Sequence, residues 1–222
     1  MANEFWAAII GAVVGGIIAF LIQLIILVAA ARLRSTERDE RTKALAHALL
    51  FKVIRIHSNL HGLQQHLEET TAKIAENATD RRPWQCYLPL ANMPPEVTFS
   101  TDEMAMLLAL GDDDLFNGLV SFDEVHNGTI SVVKSLNIRR EQLTKGLPAK
   151  MDGDRGDTFL TAEQVQYLEP KWYEFDSLFY VVKKRCDSEE DNSKNLLAKL
   201  HTRLVEKAGV TLSLQFNTTN DD

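Results

Sequence analysis

Three groups of residues have types and spacings that could carry chemistry. His57 and His61 lie four residues apart, with His66 close behind. On a helix an i, i+4 histidine pair faces one way and can hold a transition metal. No HExxH is present and no carboxylate–histidine set completes the pair, so histidines on the edge of an apolar stripe are the plainer reading. Asp123-Glu124-Val125-His126 places carboxylates near an imidazole. Di-iron bundles need two Glu-x-x-His motifs plus two further glutamates, and here there is one Asp-x-x-His. Asp123 or Glu124 could instead orient His126 as a general base. No nucleophile is identifiable beside them, and a buried polar tie within a helical bundle is the stronger expectation. Asp152, Asp154 and Glu163 match positions 1, 3 and 12 of a calcium loop, but Gly156 and Asp157 break positions 5 and 6. That stretch reads as an acidic turn.

No P-loop, Rossmann glycine pattern, GxSxG, CxxC pair or kinase signature occurs. The chain is therefore read without a catalytic residue, metal or cofactor. Asp123, Glu124 and His126 are carried forward as weak catalytic candidates, and His57 and His61 as weak metal candidates. The net charge of -7 over 222 residues argues against general nucleic-acid binding. Two distant cysteines, Cys86 and Cys186, indicate no disulfide framework.

The elements that would position these residues begin with a long apolar run. Phe5–Ala31 holds no charged residue, and Gln23 is its one clearly polar side chain. About 20 apolar residues cross a bilayer as a helix. No Lys or Arg precedes the run, which is longer than a signal-peptide core, so it is read as a single-pass anchor over residues 1–31. Arg32, Arg34, Arg38, Arg41 and Lys43 follow it. Basic flanks stay in the cytoplasm, which places the N-terminus outside and the rest inside. Ala7, Gly11, Gly15 and Ala19 form a small-residue face that Gln23 continues. Such a face favours pairing of spans in lipid, so a homodimer through this helix is expected.

Residues 32–210 read as one cytoplasmic helical domain of about four to six helices, and 211–222 as a loose polar tail. The first helix is expected to continue from the anchor to about Asn77. Its seam is Ala46, Leu49, Val53, Ile56, Leu60, Leu63, Leu67, Thr70 and Ile74, at alternating steps of three and four. The stripe is broader than a strict coiled-coil seam, which suits an intramolecular bundle. Residues 78–99 hold Pro83, Pro89, Pro94 and Pro95 amid Trp84, Tyr87, Leu90 and Val97. They read as an ordered loop packed over the bundle, with partner docking as an alternative. Capping boxes at Ser100–Glu103 and Thr161–Gln164 mark two helix starts. Between them a helix is expected from Leu115 to about Lys145. Beyond the second start, Pro170 restarts or kinks the helix, Asp187–Asn192 is a charged turn, and a last helix covers Ser193–Ala208. Phe99-x-Thr101-x-Glu103 and Phe159-x-Thr161-x-Glu163 are alike, which a duplicated hairpin or shared capping chemistry would explain.

The layout resembles bacterial single-pass inner-membrane proteins with a helical cytoplasmic domain, a resemblance of architecture that implies no activity. The functional expectation is a membrane-anchored interaction module with the bilayer and an unidentified protein as partners. The alternatives are a sensor or effector signalling through the long first helix, and an enzyme with a site near Asp123 and His126.

Overall fold

The computed structural model describes residues 2–76, 81–145, 147, 150–152, 155–157 and 160–211, the side chains of 2–14 and 150–157 excepted. The fold is all-α, and the described residues form five helices and one two-stranded ribbon of three residues a side. The first helix, α1, runs unbroken through Ala2–Glu76. It contains no proline, and glutamate and arginine through residues 32–41 are good helix formers. Its character changes along its length. From Gly15 to Val28 every residue is exposed and nearly all are apolar, Leu27 at 71%. This stretch is long and apolar enough to cross a membrane. From Ala46 onward eight of the nine seam positions are buried, Ile74 being half-buried.

The seam faces its own chain. A 47-residue helix, α5 (Ala162–Ala208), packs along α1 on one side and along α4 (Asp113–Thr144) on the other. α1 and α4 touch each other little. The groove between them is filled near Ala46 by α3 (Thr101–Ala109), and farther along by an extended strap, residues 87–99. Leu115, Leu119, Phe122, His126, Ile130, Val133 and Leu136 recur at one helical period along α4, and all seven are buried.

The caps explain the element boundaries. Ser100 Oγ accepts from Glu103 N–H while the Glu103 carboxylate accepts from Ser100 N–H at 2.7 Å. Thr161 and Gln164 repeat the arrangement for α5. Asp112 caps α4 through Leu115 N–H. Gly111 turns the chain between α3 and α4 at φ 73°, a conformation that disfavours a side chain. Glu103 also takes Lys52 Nζ at 2.7 Å and is buried, so one carboxylate holds its own helix start and α1. Glu103→Ala is expected to cost about 2 kcal/mol, since it strips the cap and leaves Lys52 unpaired. Urea unfolding of the detergent-solubilised chain measures this, and a change within 0.5 kcal/mol (about the scatter of ordinary surface changes) would count against it.

Three expectations change. Asp187–Asn192 is not a turn: α5 runs unbroken through it, and Pro170 does not restart the helix but lies inside it. The charged run stays helical because its carboxylates find i, i+4 cations, Lys183 with Asp187 and Lys194 with Glu190. Buried Cys186 and Ser193 bracket it on the core side. The Pro-rich segment contains a short helix, α2 (Pro83–Cys86), with Pro83 at the first position, where its missing N–H costs nothing. The acidic turn after α4 is a hairpin, β1 (Lys150–Asp152) antiparallel to β2 (Arg155–Asp157). Asp154 and the 212–222 tail lie outside the described residues. The shared letters of Phe-x-Thr-x-Glu play different parts, since the cap is Ser100 in one copy and Thr161, a residue later in the motif, in the other.

Candidate functional site: a polar waist between two apolar cores

The core is divided. One apolar cluster joins Ala46–Leu60 of α1, α3, Leu115–Phe122 of α4 and Leu197–Ala208 of α5. The other joins Leu63 and Leu67, Tyr87, Ile130–Leu143 and Leu168–Cys186. Between them the buried side chains are polar: His126, Thr129 and Ser193 are each 0% exposed. The candidates His57 and His126 both lie along this waist but contact different partners: His57 reaches Ser193 of α5, and His126 reaches Asn59 of α1, 67 positions away.

His126 is held at both ring nitrogens. Nδ1 lies 3.0 Å from Asn127 Oδ1, and Nε2 lies 3.1 Å from Asn59 Nδ2. The amide orientations follow from the neighbours. Asn127 Oδ1 accepts from Val97 N–H at 3.1 Å, so that end is the oxygen. Asn59 Nδ2 also donates to Pro95 C=O at 3.5 Å, so that end is the nitrogen. His126 is therefore neutral, with its proton on Nδ1 and a lone pair on Nε2. Asp123 accepts from Asn127 Nδ2 at 2.6 Å and from Phe99 N–H at 3.4 Å. It touches Asn127 and the strap, and its neighbour Glu124 is exposed.

The second part of the waist joins α1 to α5. His57 Nδ1 is 2.7 Å from Ser193 Oγ, and Ser193 Oγ–H donates to Glu190 C=O at 2.7 Å. His57 therefore supplies the proton of their shared bond. His61 Nδ1 lies 3.4 Å from a Glu190 carboxylate oxygen, and the two rings stack at 6.4 Å. Burial is the largest cause lowering the His57 pKa, and His61 and Lys194 add to it. A serine hydrogen-bonded to a histidine has the form of an activated nucleophile. Here the hydroxyl is fully buried and already spends its proton on a backbone carbonyl, so the pair works as a fastener between helices. Among the described residues no group of three or more His, Cys, Asp or Glu is placed to hold a metal ion. Cys86 and Cys186 are free and buried, and burial pushes the Cys186 thiol up to about 12.

The strap is held by two asparagines of α4 that motif reading passed over. Asn127 accepts from Val97 N–H and donates to Val97 C=O at 2.9 Å. Asn137 does the same for Leu90, at 3.3 and 3.2 Å, and its oxygen also takes Tyr87 O–H at 2.6 Å. Each amide thus mimics a neighbouring strand for one strap residue. Arg140 Nε donates to Tyr87 C=O, and His66 Nε2 reaches Leu88 C=O at 2.8 Å. A strap with three prolines, Pro89, Pro94 and Pro95, lacks donors for a ladder of its own, and these side chains serve part of what remains. Asn-x₉-Asn on one helix, ahead of no catalytic motif, was the available signal.

A cleft of about 350 Å³ opens elsewhere, between the end of α4 and the start of α5, lined by Gln142, Lys145, Gln164, Tyr167 and Lys171 among others. It includes none of the candidates. Of the span residues, Gly15, Ala19 and Gln23 are exposed, and a Cβ added at Gly15 would meet nothing within 4 Å. The side chain of Ala7 and the surroundings of Gly11 lie outside the described residues. No protein-family model matches the chain, and no curated protein or solved structure is significantly similar to it.

Proposed function

We propose that this chain is a membrane-tethered helical module, its span pairing two copies and its bundle presenting a surface to another protein. The observation that carries the reading is the abrupt change along one helix: α1 is apolar and exposed at 15–28, charged at 32–43, and buried as a core helix from Ala46. Exposed leucine and isoleucine in that density are costly in water and at ease in lipid. The basic flank at Arg32–Lys43 supports a cytoplasmic bundle, by the bias that governs short loops. Pairing would use Ala7, Gly11, Gly15, Ala19 and Gln23. A bacterial inner membrane is the setting this layout suits.

A second reading, a sensor or effector coupled to the membrane, is favoured by the continuity of α1 through residues 31–45. A helix without a break carries rotation or tilt of the span into the bundle. The test of the tether is topological. A C-terminal alkaline phosphatase fusion, active only outside the cytoplasm, is expected to be silent, and a cytoplasm-active reporter at the same place to be bright. The opposite pattern overturns the orientation. Replacing both Gly11 and Gly15 by Ile is expected to abolish self-association in membranes, and undiminished crosslinking removes the pairing face.

A further inference from the structure

We propose that His126 is a proton-operated latch: a second proton on its ring turns the acceptor facing Asn59 into a donor and releases the strap and α4 from α1. The chain of bonds runs Pro95 C=O, Asn59 Nδ2, His126 Nε2, then His126 Nδ1, Asn127 Oδ1 and Val97 N–H. Every member has its direction fixed by a backbone group at one end. Asn59 cannot turn its oxygen toward a protonated Nε2 without setting that amide's nitrogen away from the carbonyl it serves. Protonation therefore opposes two N–H groups across 3.1 Å inside a buried layer, where an unmet donor is costly.

The position gives the latch its reach. Asn59 is the α1 member, Asn127 and Asp123 belong to α4, and Pro95, Val97 and Phe99 belong to the strap. The charged groups that act on His126 are Asp123 on its own helix and Glu96 on the strap, and Glu96 is itself paired with Lys134 at 2.7 Å. Both carboxylates favour the proton, while burial disfavours it and is the larger influence, so the folded pKa lies below 6.5. The sign follows. The unfolded chain binds the proton first as pH falls. The His126 contribution is whole above about pH 6.5 and is lost as pH drops toward the lowered folded value. His57 is shifted the same way, so the test separates the two by substitution.

The experiment is hydrogen exchange of the full chain in nanodiscs at pH 7.5 and 5.0, corrected for intrinsic exchange rates. Departure of the strap and α4 from α1 lets water into this layer, so in the unaltered chain the amides of Val97 and Phe99, bonded to Asn127 and Asp123 there, are expected to lose protection at least tenfold at pH 5.0. His126→Gln, whose amide can accept from Asn59 and donate to Asn127 at either pH, is expected to abolish that loss. His57→Gln is expected to leave it in place. Equal loss of protection in His126→Gln and the unaltered chain overturns the latch. An independent reading comes from ¹⁵N-histidine resonances of the unaltered chain. His126 is expected as the Nδ1–H tautomer at pH 7.5, and the Nε2–H tautomer there overturns the proposal without any variant.

Discussion

Asn137→Ala is expected to lower the unfolding free energy by roughly 3 kcal/mol, the largest loss for any single polar side chain in the bundle. The amide serves three groups at once. Its oxygen accepts from Tyr87 O–H and Leu90 N–H, and its nitrogen donates to Leu90 C=O. Tyr87 is 0% exposed, with its ring edge-on to Phe175 and Phe179. Burial holds its phenol neutral far above the usual range, so it remains a donor at every working pH. Alanine leaves that hydroxyl and a strap peptide without partners in the core, and water reaches neither easily. Asn137→Asp separates the contributions: it keeps the acceptor, drops the donor to Leu90, and adds a half-buried charge. Urea titration with tyrosine and tryptophan fluorescence measures both. A loss under 1 kcal/mol for the alanine variant would mean that the strap contributes little to holding α4 against α1.

Ser35→Pro is expected to cut the mechanical link between span and bundle while leaving both folded. Proline in a helix interior costs about 3 kcal/mol and removes a hydrogen bond. Ser35 is exposed and lies eleven residues before the first buried position, Ala46, so no core contact is lost with it. Spin labels at the exposed positions Val28 and Phe51 would be separated by about 35 Å in a continuous helix, at 1.5 Å per residue. The native cysteines are buried and do not compete for label. A narrow distance distribution is expected for the parent chain, and a broad or shifted one for the proline variant. A broad distribution in the parent would show that α1 bends there in solution, which removes the ground for coupling.

Helix starts and core faces were readable wherever one local rule decides them. The Ser100 and Thr161 caps depend on four consecutive residues, and the burial of Leu115 through Leu136 depends on one helical period. The charged stretch Asp187–Asn192 misled because its polarity imitates a turn, whereas its stability lies in pairs formed four residues apart and in two buried neighbours. The candidates His57 and His126 were visible as residue types. Their partners Ser193 and Asn59 were not, because the contacts span 136 and 67 positions and no motif records them. The asparagine clasps were hidden for a similar reason. An asparagine inside a helix looks like an ordinary polar surface residue until an extended segment is laid beside it.

The central place of α5 has a consequence for how this protein is made. α1 and α4 scarcely touch, and each packs mainly on α5, which is translated after both. Until the ribosome has delivered residues 162–208, the apolar stripe from Ala46 to Leu67 has α2, α3, the strap and a narrow contact with α4 to cover it, but not its main partner. A nascent chain stalled or cut before Thr161 would thus display the apolar faces of α1 and α4 that α5 otherwise covers, a species prone to aggregate. Early delivery of the N-terminal segment to lipid would keep such a chain out of bulk solution while it waits for α5.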